Sequence, residues 1–211
     1  YQNNFPFKGM SITRENIMKS PKILITLEMA NNHMGSAQHG EEIISQFSRF
    51  VDFSSRLELA FKLQYRHLES FIRPDFKNRS DIKHIKRFEE TYITPAERAR
   101  LVETMKQYGF LTMATPFDER SVEDIVTDGI EIIKVASCSF SDWPLHEAIS
   151  KNISTQPIIL SCASASESLI DSVLTFYTNR GKEVTLQHCI GEYPTANSDI
   201  ELNQIDYLKA R

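Results

Sequence analysis

Six times between residues 22 and 211 a short apolar run gives way to a longer amphipathic segment, and this alternation limits the possible folds more than any other feature. Lys22–Glu28 (KILITLE), Leu59–Tyr65, Phe110–Thr115, Glu131–Ala136, Pro157–Ser161 and Val184–Cys189 have the length, the Ile/Leu/Val content and the polar boundaries of buried strands. The intervening segments carry helix signals. Ser36–Val51 sets Ile43, Ile44, Phe47, Phe50 and Val51 at helical spacing. Thr94 suits an N-cap, with Pro95 at the first helical position, Glu97 closing a capping box and Gly109 as the stop. Leu101, Met105 and Tyr108 give that helix an apolar face. Further helices are expected over 120–128, 144–150, 166–179 and 203–210. The polar connection from Arg66 to Ile93 is too long for an ordinary link, which predicts a functional loop with short structure inside it.

Strands separated by single helices pair in parallel through right-handed crossovers. Either an open doubly wound sheet or a closed barrel would satisfy this. The first strand–helix turn reads NNHMGS (Asn31–Ser36), without the glycine fingerprint of the dinucleotide-binding sheet. Polar residues gather at the ends of all six strands rather than at one switch point, and in a barrel those ends meet at a single mouth. The expectation is therefore an α/β chain of the (β/α)8 TIM type, with residues 1–21 an irregular N-terminal segment and 22–211 an incomplete barrel. Six units are two short of closure, which leads to the further expectation that the polypeptide continues past Arg211 or that a partner covers the gap.

Composition removes several function classes. A net charge of −4 and a pI near 5.9 argue against a nucleic-acid surface. The basic run Lys83-His84-Ile85-Lys86-Arg87 is followed by Glu89 and Glu90, and reads as a solvated loop or helix face. No apolar stretch approaches the roughly 18 residues of a membrane span. The N-terminus lacks an apolar signal core. Cys138, Cys162 and Cys189 have no CxxC spacing, so they read as reduced, small buried thiols of a cytoplasmic protein.

The strand ends carry the chemistry. They present Glu28, Asn31, Asn32 and His33; Lys62 and Gln64; Thr115; Lys134, Ser137 and Ser139; Ser161; and His188, with Tyr193 beyond. Lys62 and Lys134 stand inside otherwise apolar strands, and lysine is rarely buried without a partner. Two inward ammonium groups beside hydroxyls and amides would bind a compact carboxylate or phosphate. The alternatives are lysines that reach outward between helices, or a lysine that forms a Schiff base. His33 reads equally as a hydrogen-bonded loop histidine or a functional one, and His188 reads as a packed, satisfied histidine rather than a ligand.

Six segments in this order resemble one family. EMANNHMG (Glu28–Gly35), FKLQY (Phe61–Tyr65), ATPFD (Ala114–Asp118), IKVAS with WPL (Ile133–Ser137, Trp143–Leu145), PIILS (Pro157–Ser161) and LQHCIGEYPT (Leu186–Thr195) are similar to the strand-end motifs of N-acetylneuraminate (sialic acid) synthases. The resemblance implies attack of C3 of phosphoenolpyruvate on the aldehyde carbon of an open-chain N-acyl amino sugar, addition of water at C2 and loss of phosphate. It implies that Lys62, Thr115, Lys134, Ser137 and Ser161 hold phosphoenolpyruvate. Gln64 and Tyr193 would line the reacting centre, and Glu28 and Asn32 would face the sugar, with Glu28, Gln64 and Tyr193 as the catalytic set. A divalent metal, Mn or Mg, would polarise the aldehyde, with its ligands outside this chain, and the full-length enzyme would be a homodimer.

Some positions depart from the family pattern. Ser139 stands where an acidic residue is usual, Ser161–Ser164 reads SCAS instead of S-T-G-M, and Gly191 replaces a Ser or Asn. These departures motivate a second reading, a barrel that binds or assembles without turnover. A lyase or aldolase using a barrel lysine is the third.

Overall fold

The computed structural model describes residues 22–211, and the irregular segment expected over 1–21 lies outside the described residues. Six strands form one parallel sheet in chain order: β1 (Ile23–Ala30), β2 (Leu57–Tyr65), β3 (Leu111–Pro116), β4 (Ile132–Val135), β5 (Ile158–Ser161) and β6 (Val184–Gln187). Helices alternate with them: α1 (Ala37–Phe47), α2 (Leu68–Phe71), α3 (Lys83–Glu90), α4 (Pro95–Gln107), α5 (Glu119–Thr127), α6 (Trp143–Asn152), α7 (Glu167–Thr178) and α8 (Asn203–Lys209). The long β2–α4 connection contains two of these helices, α2 and α3.

The two faces of the sheet are chemically distinct. Outward side chains of β2 to β5, among them Phe61, Leu63, Tyr65, Ile133, Val135 and Leu160, pack against Ile44, Leu101, Met105, Ile125, Ile149 and Val173 from the helices. This buried layer is the hydrophobic core, and its area removed from water is the main stabilising contribution. The inner face carries a much smaller apolar floor of Ala60, Met113 and Ile132, with Leu111 and Ile159 against it. The Thr26 hydroxyl of β1 reaches the Met113 sulfur of β3 at 3.8 Å, passing over β2. Contact between next-but-one strands requires a concave inner surface. The chain is thus an α/β half-barrel of TIM type, a curled arc of six strands with helices outside.

Local signals set the helix starts. The Thr94 hydroxyl accepts from the Glu97 amide at 3.3 Å while the Glu97 carboxylate takes the Thr94 amide at 2.8 Å, closing the capping box at α4. Ser36, Asp118, Asp142 and Ser166 cap α1, α5, α6 and α7 more simply, each with a side-chain oxygen that accepts from one backbone amide of the first turn. Gly109 and Gly129 follow α4 and α5 with φ of +80° and +64°, a backbone shape that favours glycine after a helix. The structure differs from the sequence reading at element ends: β1 runs to Ala30, β2 begins at Leu57, and β6 stops at Gln187 because the residues after it turn away. Among the described residues β1 and β6 each pair with one neighbour, and Ile23, Leu24 and Ile25 are exposed. No helix among the described residues is long and apolar enough to cross a membrane.

Candidate functional site

Strand alternation and parallel register place Glu28, Lys62, Gln64, Thr115, Lys134 and Ser161 on the inner face, above the apolar floor. Register pairs Glu28 with Lys62 and Gln64 with Thr115 on neighbouring strands. The Lys62 ammonium, on a residue only 7% exposed, forms an ion pair with the Glu28 carboxylate, which is partly open to solvent. The second Glu28 oxygen accepts from the Ala30 amide at 3.1 Å, fixing the carboxylate at the strand end. Asn32 donates to the Glu28 carbonyl at 3.4 Å.

Lys134 lies partly buried on the same face. Burial, and then repulsion from Lys62, hold its ammonium below the usual lysine range. The two lysines therefore share one electrostatic environment, and a dianion between them would relieve the repulsion.

The Thr115 side chain is 2% exposed and its hydroxyl oxygen is buried with no partner among the described residues. Such an orphan costs about 1–3 kcal/mol, a cost that a ligand acceptor would offset. Ser161, 1% exposed, donates to the Gln187 side chain at 3.0 Å. Ser137 opens a one-turn helix after β4, half-buried, and Ser139 at its end is buried.

Other residues singled out in the sequence stand apart from this group. Tyr193 is 88% exposed on the segment after β6, which carries a cis Tyr193–Pro194 peptide bond. His33 is buried, accepts from the Gly35 amide at 3.2 Å and is held below the usual histidine range by burial. His188 hydrogen-bonds the Ile200 carbonyl at 2.7 Å. The expectation of three buried thiols needs correction, because Cys138 is exposed and Cys162 and Cys189 are half-buried. Burial pushes the Cys162 thiol up, away from nucleophilic use.

The described residues do not make a metal site. Both histidines near the strand ends are committed to backbone partners, Glu28 is committed to Lys62, and no group of three or more His, Cys, Asp or Glu among the described residues could hold an ion.

Two cavities, of about 470 and 580 Å³, flank the ends of β1 and β2, and Asn31, Gln64 and Arg66 line both. Lys62 and Lys134 lie outside them, on the open concave face. The sequence reading takes Arg66 only as the start of the polar connection and gives it no site role, although it continues the inward parity of Lys62 and Gln64. Its guanidinium donates to the Gln64 side-chain oxygen at 2.6 Å and packs over Phe117 at 3.8 Å and Phe88 at 4.5 Å. Burial pulls it down to about 10, so it remains charged at neutral pH. Gln187 is the other omission, since it meets Ser161 only through the register of β6 on β5.

Comparison with known proteins gives a consistent picture. The model of the NeuB family matches residues 59–211. The chain is 24% identical over 198 residues to N,N'-diacetyllegionaminic acid synthase of Campylobacter jejuni, covering 89% of this chain and 57% of that protein. Spore coat polysaccharide biosynthesis protein E of Chromobacterium violaceum superposes with a TM-score of 0.85 at 46% identity, over 90% of this chain and 55% of that one. N-acetylneuraminic acid synthetase of Leptospira borgpetersenii, solved with citrate, gives a TM-score of 0.75 at 25% identity, over 90% of this chain and 62% of that one. The chain thus spans only 55–62% of the length of these three relatives.

Proposed function

The chain belongs to the NeuB family, and from that premise we propose that it carries the phosphoenolpyruvate side of a synthase that builds a sialic, legionaminic or related nonulosonic acid. The supporting observation is the grouping of the Glu28–Lys62 pair, a depressed Lys134 and an unpartnered Thr115 hydroxyl on one concave face.

Lys62 and Lys134 neutralise the carboxylate and phosphate of phosphoenolpyruvate, and Thr115, Ser137 and Ser161 supply neutral donors to the phosphate oxygens. The electron pair of the C2–C3 double bond forms a new bond from C3 to the aldehyde carbon. The aldehyde oxygen takes the displaced pair and a proton. Water adds at C2, and phosphate departs with the C2–O bond. Glu28, held at the strand end by the Ala30 amide and facing Lys62, is placed to move a proton at the sugar oxygen or at the attacking water. Asn32 and Gln64 orient the sugar; the role that the family resemblance gives Tyr193 at the reacting centre is not supported by its exposed place after β6. No step is routed through a divalent metal, because the donor set described here does not fit one.

The test is phosphate release from phosphoenolpyruvate by the full-length protein with an N-acyl hexosamine and Mn or Mg. Absence of release with every such acceptor defeats the reading. Calorimetric binding of phosphoenolpyruvate without turnover would point instead to a binding module.

Lys134 motivates a second reading, since it lies half-buried on the inner face and its lowered range brings the neutral amine that attacks a carbonyl within reach at a lower pH than for an ordinary lysine. Borohydride trapping with pyruvate labels Lys134 or Lys62 if a Schiff base forms, and leaves the protein unmodified otherwise.

A further inference from the structure

Arg66 is the first residue beyond β2, and the chemistry above leaves its charge unused. Its guanidinium lies 3.8 Å from the ring centre of Phe117, 4.5 Å from that of Phe88 and 5.8 Å from that of Phe71. No carboxylate lies within 4.0 Å of it among the described residues, so rings rather than an ion pair hold it. Its Nε is buried and without a hydrogen-bond partner. An apolar side chain would pack between the same rings without that desolvation cost, so the charge calls for a function. The guanidinium makes one hydrogen bond among the described residues, to the Gln64 side-chain oxygen at 2.6 Å.

That bond sets the chemical sense of Gln64. A guanidinium carries donors and no acceptor, so only the oxygen of a side-chain amide can face it. The Gln64 Nε2 is therefore turned away from Arg66, and it donates to nothing among the described residues. Gln64 stands on the inner face beyond Lys62, in register with Thr115 of β3. An amide free to flip would offer either its oxygen or its nitrogen there; this one offers N–H groups. The guanidinium also draws electron density from the amide oxygen, which makes those N–H groups stronger donors.

We propose that Arg66 is a positioning residue for the condensation, fixing the Gln64 side chain so that it meets the reacting centre as a hydrogen-bond donor. This inference rests on the synthase reading given above, in which the aldehyde oxygen gains charge as the new bond forms. A fixed N–H donor stabilises that oxygen, whereas an amide oxygen in its place would repel it. Arg66 itself touches neither substrate in this role. Phe88 and Phe117, from segments on either side of α4, hold the guanidinium, so the packing of two separate segments sets the direction of one amide.

The experiment is a double-mutant cycle in the full-length enzyme, read as phosphate release from phosphoenolpyruvate with the N-acyl hexosamine that supports it fastest. Arg66→Met, which keeps packing between the rings, should lower kcat/KM for the sugar by about tenfold, and Gln64→Met by about tenfold or more. Adding Arg66→Met to Gln64→Met should lower it by less than about twofold further, since the guanidinium then has no amide to hold. The calorimetric Kd for phosphoenolpyruvate should stay within about twofold of the unsubstituted enzyme in all of these variants. Phe117→Leu, which removes the nearest ring, repeats the cycle and covers the case of an Arg66→Met protein that does not fold. Its smaller loss should likewise vanish beside Gln64→Met. Losses that multiply in the double variants overturn the proposal, because Arg66 then serves the fold alone, and they leave the synthase reading in place. A phosphoenolpyruvate affinity that falls with Arg66→Met also overturns it, because Arg66 then binds an anion directly. No phosphate release by the unsubstituted enzyme with any N-acyl hexosamine defeats the synthase reading, and this inference with it.

Discussion

The two faces of β2 follow different rules. Leu59, Phe61, Leu63 and Tyr65 point outward and are buried against helices, where shape and apolar area decide which residue fits. Ala60, Lys62 and Gln64 point inward; above the small floor they are polar, Lys62 pairing with Glu28 of β1 and Gln64 accepting from Arg66 just beyond the strand. One strand therefore supplies stability from its odd positions and chemistry from its even ones. The difference shows that the hydrophobic layer does not need the site, so the inner face can be altered at modest cost to folding.

The strongest test of that separation is Phe61→Ala. The ring lies 4.8 Å from Phe110 and 5.9 Å from Phe47, so its loss leaves a cavity and should lower the unfolding free energy by about 3–5 kcal/mol in denaturant titration. Lys62→Ala should do the reverse. It should reduce kcat/KM for phosphoenolpyruvate by about 10²–10³-fold. Its effect on stability should stay under about 1 kcal/mol, because the Glu28 carboxylate left behind is 44% exposed and can hydrate. A Lys62→Ala protein that unfolds like Phe61→Ala would break the comparison.

Lys134 sharpens it through pH. Its depressed value means that the neutral form gains ground at a lower pH than for an ordinary lysine, and the charged form is the one that binds an anion. Affinity for phosphoenolpyruvate should therefore fall as pH rises, beginning below the ordinary value of 10.5, by on the order of tenfold once the charge is gone. Calorimetric titration across that range should show the fall, and Lys134→Arg, which keeps its charge, should flatten it. The smallest effect is expected at Thr115→Val. Removing an unsatisfied buried hydroxyl should raise stability by about 1 kcal/mol in thermal or denaturant unfolding, while phosphoenolpyruvate binding weakens by about three- to tenfold.

Much of this arrangement is legible in the residues. Period-two alternation in FKLQY separates the outward Phe61 and Leu63 from the inward Lys62 and Gln64, and Thr94, Pro95 and Glu97 announce α4 at its observed start. The parts that are not legible depend on tertiary placement. Gln187 meets Ser161 only after β6 has found its register on β5. Arg66 is held by Phe88 and Phe117, which are 22 and 51 positions away in sequence, so no local pattern announces it. Helix α3 has only Ile85 and Phe88 as apolar residues, too few for a periodic stripe; its basic residues are exposed, as a solvated face requires, and the cavity they border depends on tertiary placement. Tyr193 matches a motif, yet it stands exposed outside the grouping on the inner face.

The ring stack around Arg66 also limits how the protein can be rebuilt. Phe71 and Phe88 come from the β2–α4 connection, while Phe117 follows β3, and all three rings lie within 6 Å of one guanidinium. A chimera that imports this connection from a relative would graft two walls of the clamp and leave the third behind. Unless position 117 travels with the graft, the imported loop would meet Arg66 with one wall of its clamp unmatched, and the hold of that guanidinium on Gln64 would loosen.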